Sequence, residues 1–216
     1  MKRCIIFSAG SYYGLRIRPE KEDLVLAADG GYHACLQAGL KPDILLGDFD
    51  STQRPDTTCP VISYPAEKDD TDTMLAIRTA LAKGHTEIHI FGGTGGERMD
   101  HTLANIQALS FIARAGGHGF LYDKNAVFTV LCNGTVHIPR MADNGTLSVF
   151  SLSDTAENVT IKGAKYSMKD GRLDRHFPLG ISNSIVEKAA AVSVKNGSLL
   201  IGVELPETGN CAFDFS

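Results

Sequence analysis

The chain has 216 residues, of which 43% are hydrophobic and 21% charged, so it can bury one large core or two small ones. Its formal net charge of −4 excludes the overall basic field that draws proteins to nucleic acid. We therefore expect no nucleic-acid partner. No apolar run approaches the roughly 18 residues of a transmembrane helix, so we expect no membrane partner either.

The first part of the chain alternates short apolar runs with stretches of helical periodicity. This alternation predicts a mostly parallel sheet flanked by helices. The predicted strands are 4–8, 24–28, 44–46, 61–64, 88–91 and 120–122. The clearest helix follows the fourth strand, where Thr71 can cap it, Met74, Ile77 and Leu81 form an apolar stripe, and Gly84 can end it.

Two more helices are predicted in this part of the chain. One covers residues 32–38, and the other runs from about Asp100 to 116–117 with its apolar stripe at Leu103, Ile106 and Ile112.

After about residue 125, helical periodicity gives way to β-branched runs separated by Asn-Gly pairs. These pairs lie at 133–134, 144–145 and 196–197. Asn-Gly favours the tight turn of a β-hairpin, so the region is predicted to be an antiparallel sandwich or barrel. The sequence therefore predicts two domains, an α/β domain over 1–125 and a β-sandwich domain over 126–216.

Two aspartates, Asp48 and Asp50, follow the third predicted strand. Side chains at i and i+2 of an extended chain point to the same side, so both carboxylates can bind one Mg²⁺ and leave positions for phosphate oxygens. The alternative is that either aspartate caps a turn through its side chain.

The run 68–72, Lys-Asp-Asp-Thr-Asp, places three carboxylates beside a lysine at the start of a helix. The helix macrodipole accounts for one or two of these acids. A further acid can complete a metal site or accept a proton from a substrate hydroxyl, and Lys68 can neutralise phosphate.

The fifth predicted strand leads into the glycine-rich run 92–96, which Arg98 and Asp100 follow. Glycines can bring backbone N–H groups close to an anion, and a guanidinium can pair with phosphate oxygens. The run is neither a Walker A motif nor G-x-G-x-x-G, and a plain tight loop is the alternative.

Asp29 and the pair Ser182 and Asn183 are further candidates. Asp29, followed by two glycines, can bind a ribose or base, or can cap the helix at 32–38. Ser182 and Asn183 can hydrogen-bond a heteroaromatic ligand or can form a hydrophilic turn. Among the histidines, only His101, next to Asp100, is a candidate for the site.

Five of these motifs, taken in this order, resemble the thiamine pyrophosphokinase family over nearly the whole chain. They are Ala-Asp-Gly-Gly (28–31), Gly-Asp-Phe-Asp-Ser (47–51), Lys-Asp-Asp-Thr-Asp (68–72), Gly-Gly-Thr-Gly-Gly-Glu-Arg-Met-Asp-His (92–101) and Gly-Ile-Ser-Asn (180–183). The resemblance implies a homodimer that transfers the β,γ-pyrophosphoryl group of ATP to the hydroxyl of thiamine and releases AMP. It also implies a site between the α/β domain of one subunit and the β domain of the other.

The resemblance assigns roles to residues that match the family motifs. It implies catalytic roles for Asp48, Asp50, Asp72, Arg98 and Asp100, with the first three also binding Mg²⁺. It implies that the nucleotide and its phosphates contact Asp29, Gly30, Lys68, Asp69, Thr71, Thr94, Gly95 and Arg98. Ser182 and Asn183 would contact thiamine, and either Asp72 or Asp100 would orient or deprotonate its hydroxyl.

Two other functions remain open from the residues alone. The acceptor could be another heteroaromatic alcohol such as a pterin, because only the 182–183 pair bears on the acceptor. The chain could also be a nucleotide-binding module without catalysis, although anion binding alone gains nothing from so many carboxylates.

The five cysteines are scattered and never form a C-x-x-C pair. This spacing argues against both a zinc site and a disulfide framework, and predicts buried thiols in a reducing cytoplasm. They are Cys4, Cys35, Cys59, Cys132 and Cys211.

Overall fold

The computed structural model describes residues 1–48, 55–65, 67, 69–140, 145–206 and 213–216. The chain divides into two compact units, Met1–Lys124 and Asn125–Ser216. Among the helices of these described ranges, none is long and apolar enough to cross a membrane.

The first unit contains the predicted parallel sheet. Its strands are β1 (Lys2–Phe7), β2 (Leu24–Ala28), β3 (Ile44–Gly47), β4 (Val61–Ser63), β5 (His85–Phe91) and β6 (His118–Tyr122). They pair in parallel in the order β6-β5-β1-β2-β3-β4. The α/β fold class predicted from the alternating pattern is confirmed.

The order of these strands reverses at β1. From β1 the chain builds outward through β2, β3 and β4, and then returns to place β5 and β6 on the other side of β1. Such a reversal leaves a crevice at the carboxyl ends of the two central strands, because their connections run to opposite sides. The crevice is therefore expected after Phe7 and Phe91.

Three helices accompany the sheet in the described residues: α1 (Gly31–Gln37), α2 (Asp72–Ala82) and α3 (Met99–Arg114). Thr71 caps α2 as predicted, and its hydroxyl oxygen accepts a hydrogen bond from the Met74 N–H at 3.2 Å. Ile77 in the predicted stripe of α2 is fully buried against the sheet.

The apolar stripe predicted for α3 is partly wrong. Leu103 is 54% exposed, whereas Ile112 is buried as expected. The buried residues of this helix are Asn105, Ala108, Leu109 and Ile112. The buried face of the helix thus includes the polar Asn105, whose amide bonds to the Gly93 carbonyl, and no count of apolar residues could anticipate this.

The second unit is the predicted antiparallel β domain. Its strands are β7 (Ala126–Pro139), β8 (Thr146–Ser151), β9 (Thr155–Lys162), β10 (Met168–Asp174), β11 (Gly180–Ser184), β12 (Ala189–Glu204) and β13 (Asp214–Phe215). The long strand β12 pairs with β7 along its length. On its other edge it pairs first with β9 and then with β8, while β10 and β11 extend these two branches.

Two of the three Asn-Gly pairs, at 133–134 and 196–197, lie within strands instead of forming the predicted hairpins. Asn133 lies inside β7 and Gly197 inside β12, at a register shift between these strands, and the Gly197 N–H donates to Asn133 Oδ1 at 3.0 Å. Both have a positive φ, +47° and +120°, so the conformation that favours Asn-Gly in turns here permits a bulge. The third pair cannot be compared, because Asn144 lies outside the described residues. The strands on either side of it, β7 and β8, each pair with β12.

A buried histidine on β5 forms a polar network inside the first unit. The Nδ1 atom of His89 lies 3.0 Å from the Tyr122 hydroxyl, and its Nε2 atom lies 2.9 Å from Glu87 Oε1. The hydrogen bond from His89 holds the pKa of Glu87 below its usual value, so Nε2–H donates to a carboxylate and Nδ1 accepts from Tyr122. Burial lowers the pKa of His89, although Glu87 opposes this shift.

The lowered pKa of His89 predicts a loss of stability in mild acid. The unfolded chain binds a proton on His89 more readily than the folded chain does. The free energy of unfolding therefore keeps its full value above pH ~6.5, the pKa of His89 in the unfolded chain, and decreases at lower pH by at most ~1.4 kcal/mol per pH unit. Urea unfolding at pH 7.5 and 5.5 should show this loss, and His89→Phe should lessen it. Replacing the exposed His137 by Asn is the control, and an equal loss in His89→Phe would contradict the assignment.

Candidate active site

A cleft of about 240 Å³ lies in the first unit at the carboxyl ends of the central strands. It is lined by the segments that follow β1, β2 and β5, and by the first turns of α2 and α3. The lining residues are Ser8, Ala9, Gly10, Ala28, Asp29, Thr71, Asp72, Thr73, Gly92, Gly93, Gly95, Gly96, Glu97, Arg98, His101 and Asn105. The cleft thus lies where the strand order reverses.

Two loops meet at the floor of this cleft through their backbones. The Gly10 N–H donates to the Gly92 carbonyl at 2.7 Å, and the Ser11 N–H donates to the Thr94 carbonyl at 3.0 Å. A Cβ on Gly10 would lie 2.5 Å from the Gly92 oxygen, so the close approach requires a glycine there. The glycine-rich run is therefore fixed against the loop that follows β1.

Two buried side chains anchor the glycine-rich run from its other side. The Thr94 hydroxyl donates to Asp123 Oδ1 at 2.7 Å, and the Asn105 amide donates to the Gly93 carbonyl at 2.8 Å. The Thr94 hydroxyl thus bonds within the protein, and Thr94 is not among the described residues that line the cleft, whereas Gly95 is. Contact of either residue with the nucleotide stays a prediction.

The first turn of α2 supplies a carboxylate and a buried hydroxyl pair to the cleft. Asp72 follows the capping residue Thr71, and both line the cleft. The next residue, Thr73, is buried, and its hydroxyl lies 2.9 Å from that of Ser8 at the end of β1. This hydrogen bond ties the start of α2 to the carboxyl end of β1.

The backbones that follow β2 and β3 lie close together, and each segment carries an aspartate. Asp29 lines the cleft in a left-handed conformation with a φ of +45°, and its N–H donates to the Leu46 carbonyl at 2.7 Å. An added Cβ on Gly47 would lie 3.4 Å from Asp29. Asp48 follows Gly47 directly and is half-buried. A positive φ in a residue other than glycine, as in Asp29, is often found at functional sites.

The alternative role of Asp29 as a helix cap is not what the structure shows. Gly30 is the N-cap residue of α1, and no side chain caps this helix. Gly30 itself is not among the described residues that line the cleft.

Asp69, Asp70 and Asp100 are not among the described residues that line the cleft, and each has a different environment. Asp69 is exposed, and Asp70 pairs with Arg78 at 2.9 Å outside the cleft. Arg98 lines the cleft, and Asp100 bonds to it through two hydrogen bonds. The predicted site residues Asp50 and Lys68 lie outside the described residues.

Ser182 and Asn183 lie on β11 of the second unit. Ser182 is exposed and has a φ of +55°. Asn183 is only 5% exposed, and its amide bonds to both the N–H and the carbonyl of Tyr166 at 2.9 and 2.7 Å. Its oxygen also accepts from the Ser184 N–H at 2.9 Å. Asn183 thus holds the backbone of an exposed tyrosine beside Ser182.

The side chains of the cleft are suited to binding a divalent cation with a polyphosphate. Asp29, Asp72 and Glu97 give the lining an excess of carboxylates over the one guanidinium of Arg98. Within the ranges that the structure describes, no three His, Cys, Asp or Glu side chains come together as a metal cluster. Mg²⁺ needs only one or two carboxylates when phosphates and water complete its coordination, so the donor set fits.

The sequence analysis missed several residues of the cleft. The loop 8–10 follows a strand with small residues, as the recognised motifs do, and that pattern could have identified it. Thr73 and Asn105 carried no signal in the sequence, because their place depends on how helices meet the loops, whereas Glu97 lies within the recognised motif 92–101 but was assigned no role. His101, the histidine singled out from sequence, does line the cleft.

Comparisons with known proteins match both units. The family model described as thiamin pyrophosphokinase, catalytic domain, matches residues 18–116. The model described as thiamin pyrophosphokinase, vitamin B1 binding domain, matches residues 134–201.

The chain is similar to one relative by sequence and to solved structures by fold. A thiamine pyrophosphokinase of Bacillus subtilis (strain 168) is 31% identical over 188 residues, which cover 84% of this chain and 87% of the relative. A crystal structure of thiamine pyrophosphokinase from Bacillus subtilis has a TM-score of 0.82 at 29% identity, covering 94% of this chain and 99% of the other. A thiamin pyrophosphokinase family protein from Enterococcus faecalis has a TM-score of 0.80 at 30% identity, covering 96% and 100%.

The contact of Gly10 with Gly92 predicts the effect of a single methyl group. In Gly10→Ala the Cβ would clash with two carbonyl oxygens, at 2.5 and 2.8 Å, and the loops would have to separate. Loss of one backbone hydrogen bond to a charged phosphate costs about 1.5 kcal/mol or more, so we expect ATP affinity to fall about tenfold or more. Calorimetric titration with Mg-ATP measures this effect.

The matched control is Gly39→Ala, at a glycine with a φ of +75° and no atom within 4 Å of an added Cβ. This variant should bind ATP as the wild type does. Unchanged affinity in a folded Gly10→Ala protein would show that the loop contact does not shape the site.

Proposed function

This chain belongs to the thiamine pyrophosphokinase family, and we propose that its cleft takes part in transferring the β,γ-pyrophosphoryl group of ATP to the hydroxyl of thiamine. The products are thiamine diphosphate and AMP. The single observation that carries the proposal at residue level is the acidic, glycine-walled cleft at the strand reversal.

The comparisons decide between the functions left open by the residues. The match to a vitamin B1 binding domain over 134–201 favours thiamine over a pterin alcohol as the acceptor. The relatives are named as kinases, and the chain is an enzyme, so a nucleotide-binding module without catalysis is not favoured.

The charge of the cleft supports a metal-bound ATP. A bare triphosphate would be repelled by Asp29, Asp72 and Glu97, whereas a triphosphate that carries a divalent cation would be attracted. Mg²⁺, when bound, neutralises phosphate charge and aligns the transferred group. We propose that Asp48, Asp50 and Asp72 hold it.

The residues around the phosphates serve mainly to orient them and to offset charge. Transfer of phosphoryl-type groups asks little covalent chemistry of a protein. We propose that Arg98 and the backbone N–H groups near Gly95 bind the pyrophosphoryl oxygens, while Asp29 and its neighbour Gly30 face the nucleoside. Asp69 and Lys68 complete the proposed nucleotide site near the start of α2.

The cleft is small for a whole nucleotide. Its volume of about 240 Å³ lies below the roughly 300–1,000 Å³ of typical ligand pockets. It therefore suits the phosphate part of ATP, where the chemistry takes place.

The second unit is proposed to bind thiamine and to take part in a homodimer. Ser182 and Asn183 are the proposed thiamine contacts, and the Asn183 amide also holds the backbone of Tyr166. Large exposed apolar side chains around this strand support burial in an assembly. They are Tyr166, Phe177, Leu179, Ile181 and Val186.

A reducing cytoplasm is the proposed location. Among the described cysteines, Cys4 and Cys35 are buried free thiols, which agrees with such a compartment, whereas Cys59 and Cys132 are half-buried and not buried as predicted.

The reaction itself is tested by its products. Purified protein with Mg²⁺, ATP and thiamine should form AMP and thiamine diphosphate in equal amounts, as resolved by ion-pair chromatography. AMP should not form when thiamine is omitted or replaced by a pterin alcohol. Formation of ADP with thiamine monophosphate would overturn the proposed transfer.

The proposed role of Asp72 is tested against its neighbour Asp70. Asp72→Asn removes a charge from the cleft and should lower kcat by about 100-fold or more, as loss of a preorganised electrostatic partner does. Asp70→Asn breaks only the outward pair with Arg78 and should retain turnover near that of the wild type. Equal kcat values for the two variants at saturating Mg²⁺ would remove Asp72 from the mechanism.

A further inference from the structure

Arg98 and Asp100 form a two-bond pair at the start of α3. The Arg98 Nε–H donates to Asp100 Oδ1 at 2.9 Å, and Nη2–H donates to Oδ2 at 2.6 Å. Two parallel bonds between a guanidinium and a carboxylate fix the relative orientation of both groups. The pair is exposed, with side-chain exposures of 67% and 64%, and within the part of the chain that the structure describes Arg98 forms no other ion pair.

The two partners stand in different relations to the cleft. Arg98 lines the cleft, whereas Asp100 is not among the described residues that do so. A guanidinium carries five N–H donors, and the pair with Asp100 uses two of them. Three donors of Arg98 therefore remain for phosphate oxygens while Asp100 holds the other edge.

We propose that Asp100 is a positioning residue, which acts on the reaction by holding Arg98 toward the cleft and does not accept the proton of the thiamine hydroxyl. This inference rests on the proposed function and assigns a different task to one of its two candidate bases. Asp72, which lines the cleft, is then the remaining candidate.

The electrostatics of the pair agree with this assignment. The hydrogen bond from Arg98 lowers the pKa of Asp100 to about 2, so the carboxylate is ionised at neutral pH. A general base works best when its pKa lies near the working pH, and so Asp100 is poorly matched to proton transfer. It is well matched to a permanent ionic contact.

The contact with Asp100 would preorganise the Arg98 side chain for binding phosphate. A long exposed arginine adopts many rotamers, and binding phosphate must select one of them at a cost in entropy. A carboxylate two residues along the chain selects that rotamer before ATP arrives. The gain should appear in ATP binding and in kcat/KM for ATP.

The chain contains a matched pair for comparison. Arg172 and Asp174 are also two residues apart and exposed, and Arg172 Nη2–H donates to Asp174 Oδ1 at 2.8 Å. This pair lies on β10 in the second unit, outside the described lining of the cleft. Asp174→Asn therefore controls for the loss of a surface ion pair as such.

The test is a double-mutant cycle on ATP kinetics with Arg98→Lys, Asp100→Asn and the double variant. We expect Asp100→Asn to lower kcat/KM for ATP about tenfold, mainly through KM, because a misplaced phosphate ligand weakens binding and alignment. The double variant should be no worse than Arg98→Lys alone, since Asp100 acts only through Arg98. Asp100→Glu should recover part of the loss, and Asp174→Asn should change nothing.

Two outcomes would overturn the assignment. One is a fall in kcat of about 100-fold or more in Asp100→Asn, whichever residue occupies position 98, with a changed pH profile, as loss of a general base gives. The other is unchanged ATP kinetics in Asp100→Asn.

Calorimetric binding of Mg-ATP without thiamine separates this inference from the proposed reaction. Weaker binding to Asp100→Asn than to wild type and Asp174→Asn would support the positioning role even if the wild type formed different products. Equal binding to all three would overturn it.

Discussion

The contact between the loops that follow β1 and β5 is the constraint on which the rest of the cleft depends. These loops leave neighbouring strands in opposite directions, yet their backbones meet through hydrogen bonds of 2.7 and 3.0 Å. Only a glycine fits at position 10, because any Cβ there would lie within 2.5 Å of a carbonyl oxygen. The floor of the site is thus made of main chain, which can approach a phosphate more closely than side chains could.

The balance of charge above this floor fits a polyphosphate that arrives with a cation. Three carboxylates face one arginine in the cleft, which would be a poor arrangement for a free anion. The same acidic surroundings suit the positively charged thiazolium of thiamine. In the proposed function the same side chains would attract this cation, and a divalent metal ion would offset their repulsion of ATP.

Many of the polar residues near the site act by holding others in place. Thr94 and Asn105 fix the glycine-rich run, Asn183 fixes the backbone at Tyr166, and Asp100 fixes Arg98. All four are polar, and Thr94, Asp100 and Asn183 lie within recognised motifs, so sequence patterns alone cannot distinguish these three from ligand-binding residues. What distinguishes them is the partner of each side chain, and this is a property of the folded chain.

The sequence by itself determined the fold class, the strands of the parallel sheet, the α2 cap at Thr71 and the presence of acidic and glycine-rich segments at the strand ends. These features depend on local spacing, and local spacing is written directly in the chain. Tertiary structure alone decided that Asn133 and Gly197 form a bulge, that Asn105 turns α3 away from its apolar stripe, and that residues 8–10 join the site. Each of these depends on a partner more than ten residues away, so the pattern around the residue itself carries no trace of it.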